Sequence, residues 1–161
     1  MKPIVFGADY SVYVRIVRLV LQEKGVAYDL VPVDAFAPAG PGVDHLARHP
    51  FGRIPAFEHD GFKLYETGAI ARYIDESFDG PGLQPADTKA RARMNQVIGI
   101  ADSYAYRAMV WDVMVERINK PARGEMPDEV RIAAALSRSK TCLQALVDIM
   151  GNGARGFAAR A

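Results

Sequence analysis

Ser11 follows Asp9-Tyr10 and stands directly before a run in which Val14, Val17, Val20 and Leu21 recur at helical spacing. A hydroxyl there can cap the helix, and it can also donate to an anion that the positive end of the helix dipole already favours. A second such place is Glu66-Thr67, just ahead of Ile70, Tyr73, Ile74 and Phe78 on one helical face. There a carboxylate suits an ammonium, and a hydroxyl beside open helix N–H groups suits a carboxylate. Taken singly, each is better read as a plain cap, Thr67 with Glu66 as a solvated neighbour. His45 and His49 have H-x-x-x-H spacing, but no third ligand motif lies nearby, so surface histidines are expected rather than a metal site. Cys142 is the only cysteine, which excludes an intrachain disulfide and a CxxC redox centre; a packing role inside a helix is its default reading.

The elements that must hold these residues can be read from periodicity. Ile4-Val5-Phe6 is a strand ending at Gly7, and a helix then runs to the Gly25 stop. Val26 to Val33 returns to strand composition, so the opening is a βαβ unit with a parallel pair. Ala35 to Gly42 is a loop. Phe57-Glu58-His59 and Phe62-Lys63-Leu64-Tyr65 flank Asp60-Gly61, the signature of a type I′ hairpin. Thr67 is expected to cap the helix that follows, and Asp79-Gly80-Pro81-Gly82 marks a boundary. The spacing predicts a mixed α/β domain over 1–80 and an all-α domain over 86–161. In the latter, one long helix runs from Asp87 to Asn119, with Met94, Val97, Ile98, Ala101, Ala105, Ala108 and Val115 on its apolar side. A second begins at Pro127-Asp128-Glu129 and runs through Val130, Ala134, Leu136, Leu143, Leu146, Val147 and Met150 to Gly151. The end, Gly151 to Ala161, is small-residue rich and expected to be loosely held.

Of 161 residues, half are apolar and 24% charged, and the formal net charge is +1, which excludes global disorder and any overall field drawing the chain to nucleic acid or an anionic bilayer. No apolar run reaches the roughly 18–20 residues of a membrane span. The N-terminus lacks a signal-peptide pattern, so a cytoplasmic protein is expected, with neither nucleic acid nor membrane as partner.

Three segments carry a family resemblance. Tyr10-Ser11-Val12-Tyr13-Val14-Arg15 with Glu23-Lys24-Gly25-Val26 resembles a first strand-to-helix turn with serine four positions before arginine. Pro50-Phe51-Gly52-Arg53-Ile54-Pro55-Ala56-Phe57 is similar to an asparagine-proline-x-glycine-x-valine-proline segment, with His49 where asparagine is common. Leu64-Tyr65-Glu66-Thr67-Gly68-Ala69-Ile70 is similar to a leucine-x-glutamate-serine-x-alanine-isoleucine box, with threonine in place of serine. In this order and spacing they resemble the cytosolic glutathione S-transferases, of the serine type and bacterial-like, over residues 3–80 and more loosely over 85–150.

The resemblance implies a thioredoxin-like first domain and a transferase in which glutathione is a co-substrate with no tightly bound cofactor and no metal. Ser11 is then the thiolate donor, with Tyr10 and Tyr13 as competitors. A thiol near pKa 8.5 is only a few per cent ionised at pH 7. One charge-assisted hydrogen bond of about 1.5–3 kcal/mol would lower that pKa by about one or two units. By the same resemblance Ile54-Pro55 is a cis peptide whose Ile54 backbone pairs with the cysteinyl backbone, Glu66 takes the γ-glutamyl ammonium and Thr67 its carboxylate, and Arg53 or, second, His45 meets the glycyl carboxylate. Tyr104, Arg107 and Trp111, with Ala108, fall on one α-helical stripe and are the candidates for the pocket of a small hydrophobic electrophile. The family's second domain continues into a central helix with a serine/threonine-x-x-aspartate cap that this sequence lacks. A shortened helical domain with exposed apolar faces, and a homodimer, are therefore expected. The alternative function is a non-catalytic ligand-binding or protein-interaction module of the same fold.

Overall fold

Strand β1 (Ile4–Gly7) pairs in parallel with β2 (Asp29–Pro32) and antiparallel with β3 (Ala56–His59), which pairs antiparallel with β4 (Phe62–Tyr65). The computed structural model describes residues 1–151 and gives the sheet the order β2-β1-β3-β4. The chain divides into two compact units, Met1–Gln84 and Pro85–Ala161. The expected loose end, 152–161, lies outside the described residues.

In the first unit α1 (Val12–Glu23) and α3 (Thr67–Ser77) pack together. Their inward residues Val14, Val17, Leu21, Ile70 and Ile74 form one buried cluster with Val5 and Phe57 of the sheet. Each such side chain contributes about 1.5–3 kcal/mol relative to exposure. The strand expected from Val26 begins only at Asp29, because the end of α1 claims the preceding residues. Gly25 N–H donates to the Gln22 carbonyl and Val26 N–H to that of Leu21, both at 2.9 Å, the paired bonds of a Schellman motif. The hairpin turn is as expected, with φ of 50° at Asp60 and 79° at Gly61. A one-turn helix α2 (Val43–Leu46) lies in the connection before β3. Behind the sheet's helices, buried Lys24 ties the unit's last residues down. Its Nζ donates to the carbonyls of Asp75 (3.0 Å) and Pro81 (3.1 Å), and the Asp75 carboxylate accepts from Leu83 N–H (2.8 Å) and Gln84 Nε2 (3.1 Å).

The second unit departs from the sequence expectation in two ways. Helix α4 (Thr88–Ile100), capped by Asp87 Oδ1 on Ala90 N–H at 2.8 Å, does not continue as an α-helix. From Ala101–Ala105 and Arg107–Asn119 the backbone bonds i→i+5, with Tyr106 N–H on the Ala101 carbonyl and Lys120 N–H on that of Val115. A single turn, α5 (Lys120–Ala122), follows, and then α6 (Glu129–Gly151), started by Asp128 Oδ1 on Arg131 N–H at 2.9 Å. Secondly, α6 does not bury the large apolar residues of its predicted face: Val130, Leu136, Leu143, Val147 and Met150 are exposed. It packs instead through Ile132, Ala135, Ser139 and Cys142, alongside buried Ala105 and Ala108. Two buried carboxylates on the i→i+5 segment decide that face. Asp112 is met by Arg107 Nε (3.2 Å), Arg131 Nε (3.1 Å) and Arg138 Nη2 (3.1 Å). Glu116 is met by Lys120 Nζ (2.7 Å), Arg131 Nη1 (3.2 Å) and Asp128 N–H (3.0 Å). Among the described residues no helix is long and apolar enough to cross a membrane.

Candidate functional site

Sheet register brings the first unit's candidates to one end. Phe6 pairs with Ala56 and Ala56 with Tyr65, so Gly7, Pro55 and Glu66, each one residue beyond those pairs, gather at the same end of the sheet. From Gly7 the chain enters a turn closed by Ser11 N–H on the Ala8 carbonyl at 3.1 Å, and α1 begins. Arg18 braces that turn, pairing with Asp9 and donating to Tyr28 Oη at 2.8 Å.

Half-buried Ser11 is the N-cap of α1, its Oγ accepting from Val14 N–H at 3.4 Å. That bond is long for an N–H···O contact, and it leaves the hydroxyl hydrogen free to donate. Capping and donation to an anion are compatible at this residue. Tyr10 is exposed and stacks on Phe36, ring centroids 6.2 Å apart. Partial desolvation and the Asp34 carboxylate push the phenol pKa up from its ordinary value. The aromatic pair beside Ser11 went unread in the sequence, because Phe36 sat in a segment legible only as loop.

Ile54-Pro55 is cis. Ile54 lies two residues before the first β1–β3 ladder pair, so its backbone N–H and C=O are outside the ladder, and its Cβ is 3.5 Å from where a Gly7 Cβ would stand. Glu66, not Thr67, occupies the cap position of α3. Its carbonyl accepts from Ala69 and Ile70 N–H at 3.0 Å, its side chain caps nothing, and it is held at φ 72°. An exposed carboxylate on a strained backbone is therefore left free. Thr67 becomes the first helical residue, half-buried, with its hydroxyl beside the helix N-terminus.

The histidines reverse their expectation. Both are buried, at 3% exposure for His45 and 2% for His49. The α2 turn folds His45 inward to reach the Arg53 carbonyl at 2.8 Å, so His45 positions the Arg53 loop and presents no free donor to a ligand. The Arg53 side chain is exposed and makes no hydrogen bond or ion pair among the described residues. His49 lies over Tyr65, ring centroids 4.8 Å apart, and burial pushes its pKa down against the pull of Glu66. No group of three His, Cys, Asp or Glu among the described residues is arranged to hold a metal.

Tyr104, Arg107 and Trp111 all lie in the second unit, where i→i+5 bonding breaks the expected stripe. Residues seven apart share a face at 3.6 per turn but separate on a more slowly wound backbone. Tyr104 is 65% exposed and Trp111 38%, while Ala108 between them is buried. The Arg107 guanidinium is turned five residues along the chain to Asp112.

Residues 5–82 match the family described as glutathione S-transferase, N-terminal domain. Glutathione S-transferase F12 of Arabidopsis thaliana is 31% identical over 138 residues, covering 84% of this chain and 62% of the relative. Maleylacetoacetate isomerase of Rhizobium meliloti is 44% identical over 78 residues, 48% of this chain and 37% of that protein. The chain thus spans less than two thirds of the length of these curated relatives. The crystal structure of glutathione transferase F7 from Populus trichocarpa superposes with a TM-score of 0.79 at 29% identity, over 93% of this chain and 71% of that one. With a thioredoxin-like sheet, the three site motifs at one end of it and a helical unit following in the chain, this chain belongs to the glutathione S-transferase family.

Proposed function

We propose that this chain acts as a glutathione transferase. Glutathione lies along the end of the first unit's sheet, its cysteinyl backbone against Ile54, its γ-glutamyl ammonium on Glu66 and carboxylate at Thr67 and the α3 N-terminus, its glycyl carboxylate toward Arg53. The Ser11 hydroxyl donates to the sulfur, and the start of α1 favours the anion there. The thiol proton leaves to solvent, and the thiolate attacks an electrophilic carbon and expels its leaving group. Tyr10 and Phe36 offer an aromatic wall beside the sulfur. Catalysis is nucleophile activation with proximity. Thiolate activation of the same kind serves isomerisation as well as conjugation, and the isomerase relative matches over 78 residues.

The observation that carries this reading is the register that brings Gly7, Pro55 and Glu66 to one end of the sheet. A cytoplasmic homodimer with a detoxifying role is the fuller form of the proposal, and the exposed Phe51, Leu143 and Val147 favour self-association; sedimentation velocity checks the dimer. Retention on immobilised glutathione, followed by conjugation of a chromogenic aryl halide, tests the activity. Retention without turnover would favour a binding module, and turnover indifferent to Ser11→Ala would move the donor role elsewhere.

A further inference from the structure

His45 is 3% exposed, and its two ring nitrogens are unequally used: Nε2 lies 2.8 Å from the Arg53 carbonyl, while Nδ1 is buried with no partner. A carbonyl only accepts, so Nε2 carries the proton and Nδ1 is an idle acceptor. An orphaned ring nitrogen is a cost that an apolar side chain in this place would avoid. The bond to Arg53 is therefore what accounts for a histidine here. The local chain is wound to deliver it. The His45 carbonyl accepts from Arg48 and His49 N–H at 2.9 and 2.8 Å, and the His49 carbonyl accepts from Gly52 N–H at 2.9 Å. Gly52, at φ 63°, brings the chain back against α2, where a Cβ would stand 3.4 Å from Pro41 Cγ and 3.5 Å from Leu46 Cδ2. The His49 ring stacks on that of His45, centroids 6.2 Å apart, and buttresses it.

The Arg53 C=O and the Ile54 N–H belong to one peptide. That peptide is trans, so its plane carries the carbonyl and the N–H in opposite directions. A donor fixed on the carbonyl thus fixes where the N–H points, which is away from His45. Among the described residues the Arg53 carbonyl has no donor but His45, and the Ile54 N–H has no acceptor. We propose that His45 is a positioning residue for the backbone of glutathione, a role that rests on the glutathione reading above. By anchoring the Arg53 carbonyl it holds the Ile54 N–H toward the cysteinyl carbonyl of the tripeptide. The bonds then run from the imidazole N–H through the peptide to the ligand carbonyl, and each polarises the next. Without the imidazole the peptide is free to turn about the bonds on either side of it, and ordering it draws on the free energy of binding. The cysteinyl carbonyl takes no part in the bonds that change, so its contact is equal in the ground and transition states. Losing that contact raises KM and spares kcat.

The test uses the full chain and S-methylglutathione, which reports binding without thiol chemistry. Calorimetric titration compares the wild type with His45→Met, which fills similar space without a donor, and with His45→Gln, whose amide N–H can take the place of Nε2–H. His45→Met is expected to bind about three- to tenfold more weakly, the loss of one neutral hydrogen bond, and His45→Gln to recover most of that loss. In conjugation of a chromogenic aryl halide, KM for glutathione should rise by the same factor in His45→Met, with kcat within about twofold. A fall in kcat at unchanged KM overturns the proposal. γ-Glutamyl-S-methylcysteinamide keeps the cysteinyl carbonyl and lacks the glycyl carboxylate, so the His45→Met loss should persist with it. A loss confined to S-methylglutathione would mean that His45 acts through the Arg53 side chain, and overturns the proposal too. By NMR, the Ile54 amide proton of the wild type should move downfield when S-methylglutathione binds. An unmoved Ile54 amide, a His45→Met affinity equal to that of the wild type, or a His45→Gln no better than His45→Met likewise overturns it. Should His45→Met fail to fold, the wild-type Ile54 amide and His45 Nε2–H resonances decide, since both must move on binding. Absence of binding by the wild type sinks the glutathione reading itself, and is told apart from those outcomes by the wild-type titration alone.

Discussion

Gly7, at the end of β1, leaves its side-chain space to Val14 of α1: a Cβ built on Gly7 would overlap Val14 Cγ2 and stand 3.5 Å from Ile54 Cβ. The strand end, the first turn of the Ser11 helix and the residue before the cis-proline therefore meet over a missing methyl group.

Gly7→Ala should push that first turn outward. Overpacking of this kind destabilises by about 1–3 kcal/mol, read as a lower urea midpoint. Because Ser11 moves with Val14, kcat/KM for conjugation should fall in protein that is still folded. A substitution of similar size at exposed Lys63 should leave both unchanged.

Removing the hydroxyl with Ser11→Ala deletes a weak cap and, on the proposed mechanism, the thiolate donor. The cap contributes about 1 kcal/mol. A charge-assisted hydrogen bond of about 1.5–3 kcal/mol corresponds to a roughly 10- to 100-fold loss of kcat/KM at pH 7. Ser11→Thr keeps the hydroxyl and should retain most of the rate, and the apparent pKa of bound thiol, read from its ultraviolet absorbance, should rise in the alanine variant only.

Glu66→Gln and Thr67→Ala should act on binding rather than on chemistry. Neither side chain caps α3, so folding should be little affected. KM for glutathione should rise about tenfold with Glu66→Gln, the loss of a charged partner worth about 1.5 kcal/mol or more, with a smaller change in kcat. An equal fall in kcat and kcat/KM would assign Glu66 a role in the transition state instead.

In the second unit, Lys120, the Asp128 N–H and Arg131 hold the Glu116 carboxyl down at about 2 against burial, from an ordinary 4.5. A depressed folded-state pKa contributes stability above the unfolded value and loses it as pH falls through the folded one. The difference in Tm between wild type and Glu116→Gln should accordingly be largest above pH 4.5 and close as the pH approaches 2. A constant difference across that range would mean that the charge of Glu116 is not what ties the start of α6.

Lys24→Met should cost about 3 kcal/mol, the consequence of stranding Asp75 beside a lost cation in a pair whose side chains are 3% and 8% exposed. Adding Asp75→Leu should not restore stability, since Leu83 N–H and Gln84 would then lose their acceptor. Chemical denaturation of the single and double variants checks both statements.

What could be read from residues alone was whatever short-range rules govern. The hairpin at Asp60-Gly61, the Gly25 stop of α1, the Ser11 cap and the spacing of Ser11, Ile54-Pro55 and Glu66-Thr67 each depend on a few neighbouring side chains and on turn and helix geometry. The mixed sheet and the family followed from them. Folding alone decided the rest, because it depends on partners far apart in the chain. His45 is buried because the Arg53 carbonyl waits for it, and His49 because Tyr65 covers it; nothing in H-x-x-x-H spacing names either partner. Asp112 and Glu116 would read as solvated on any helix until Arg131 and Arg138 arrive from α6. Those ion pairs, with the small residues beside them, turn the larger apolar residues of α6 outward against the pattern that predicted them inside. Hydrophobic periodicity assigns a helix a face, but buried charges whose desolvation must be offset choose which face is met.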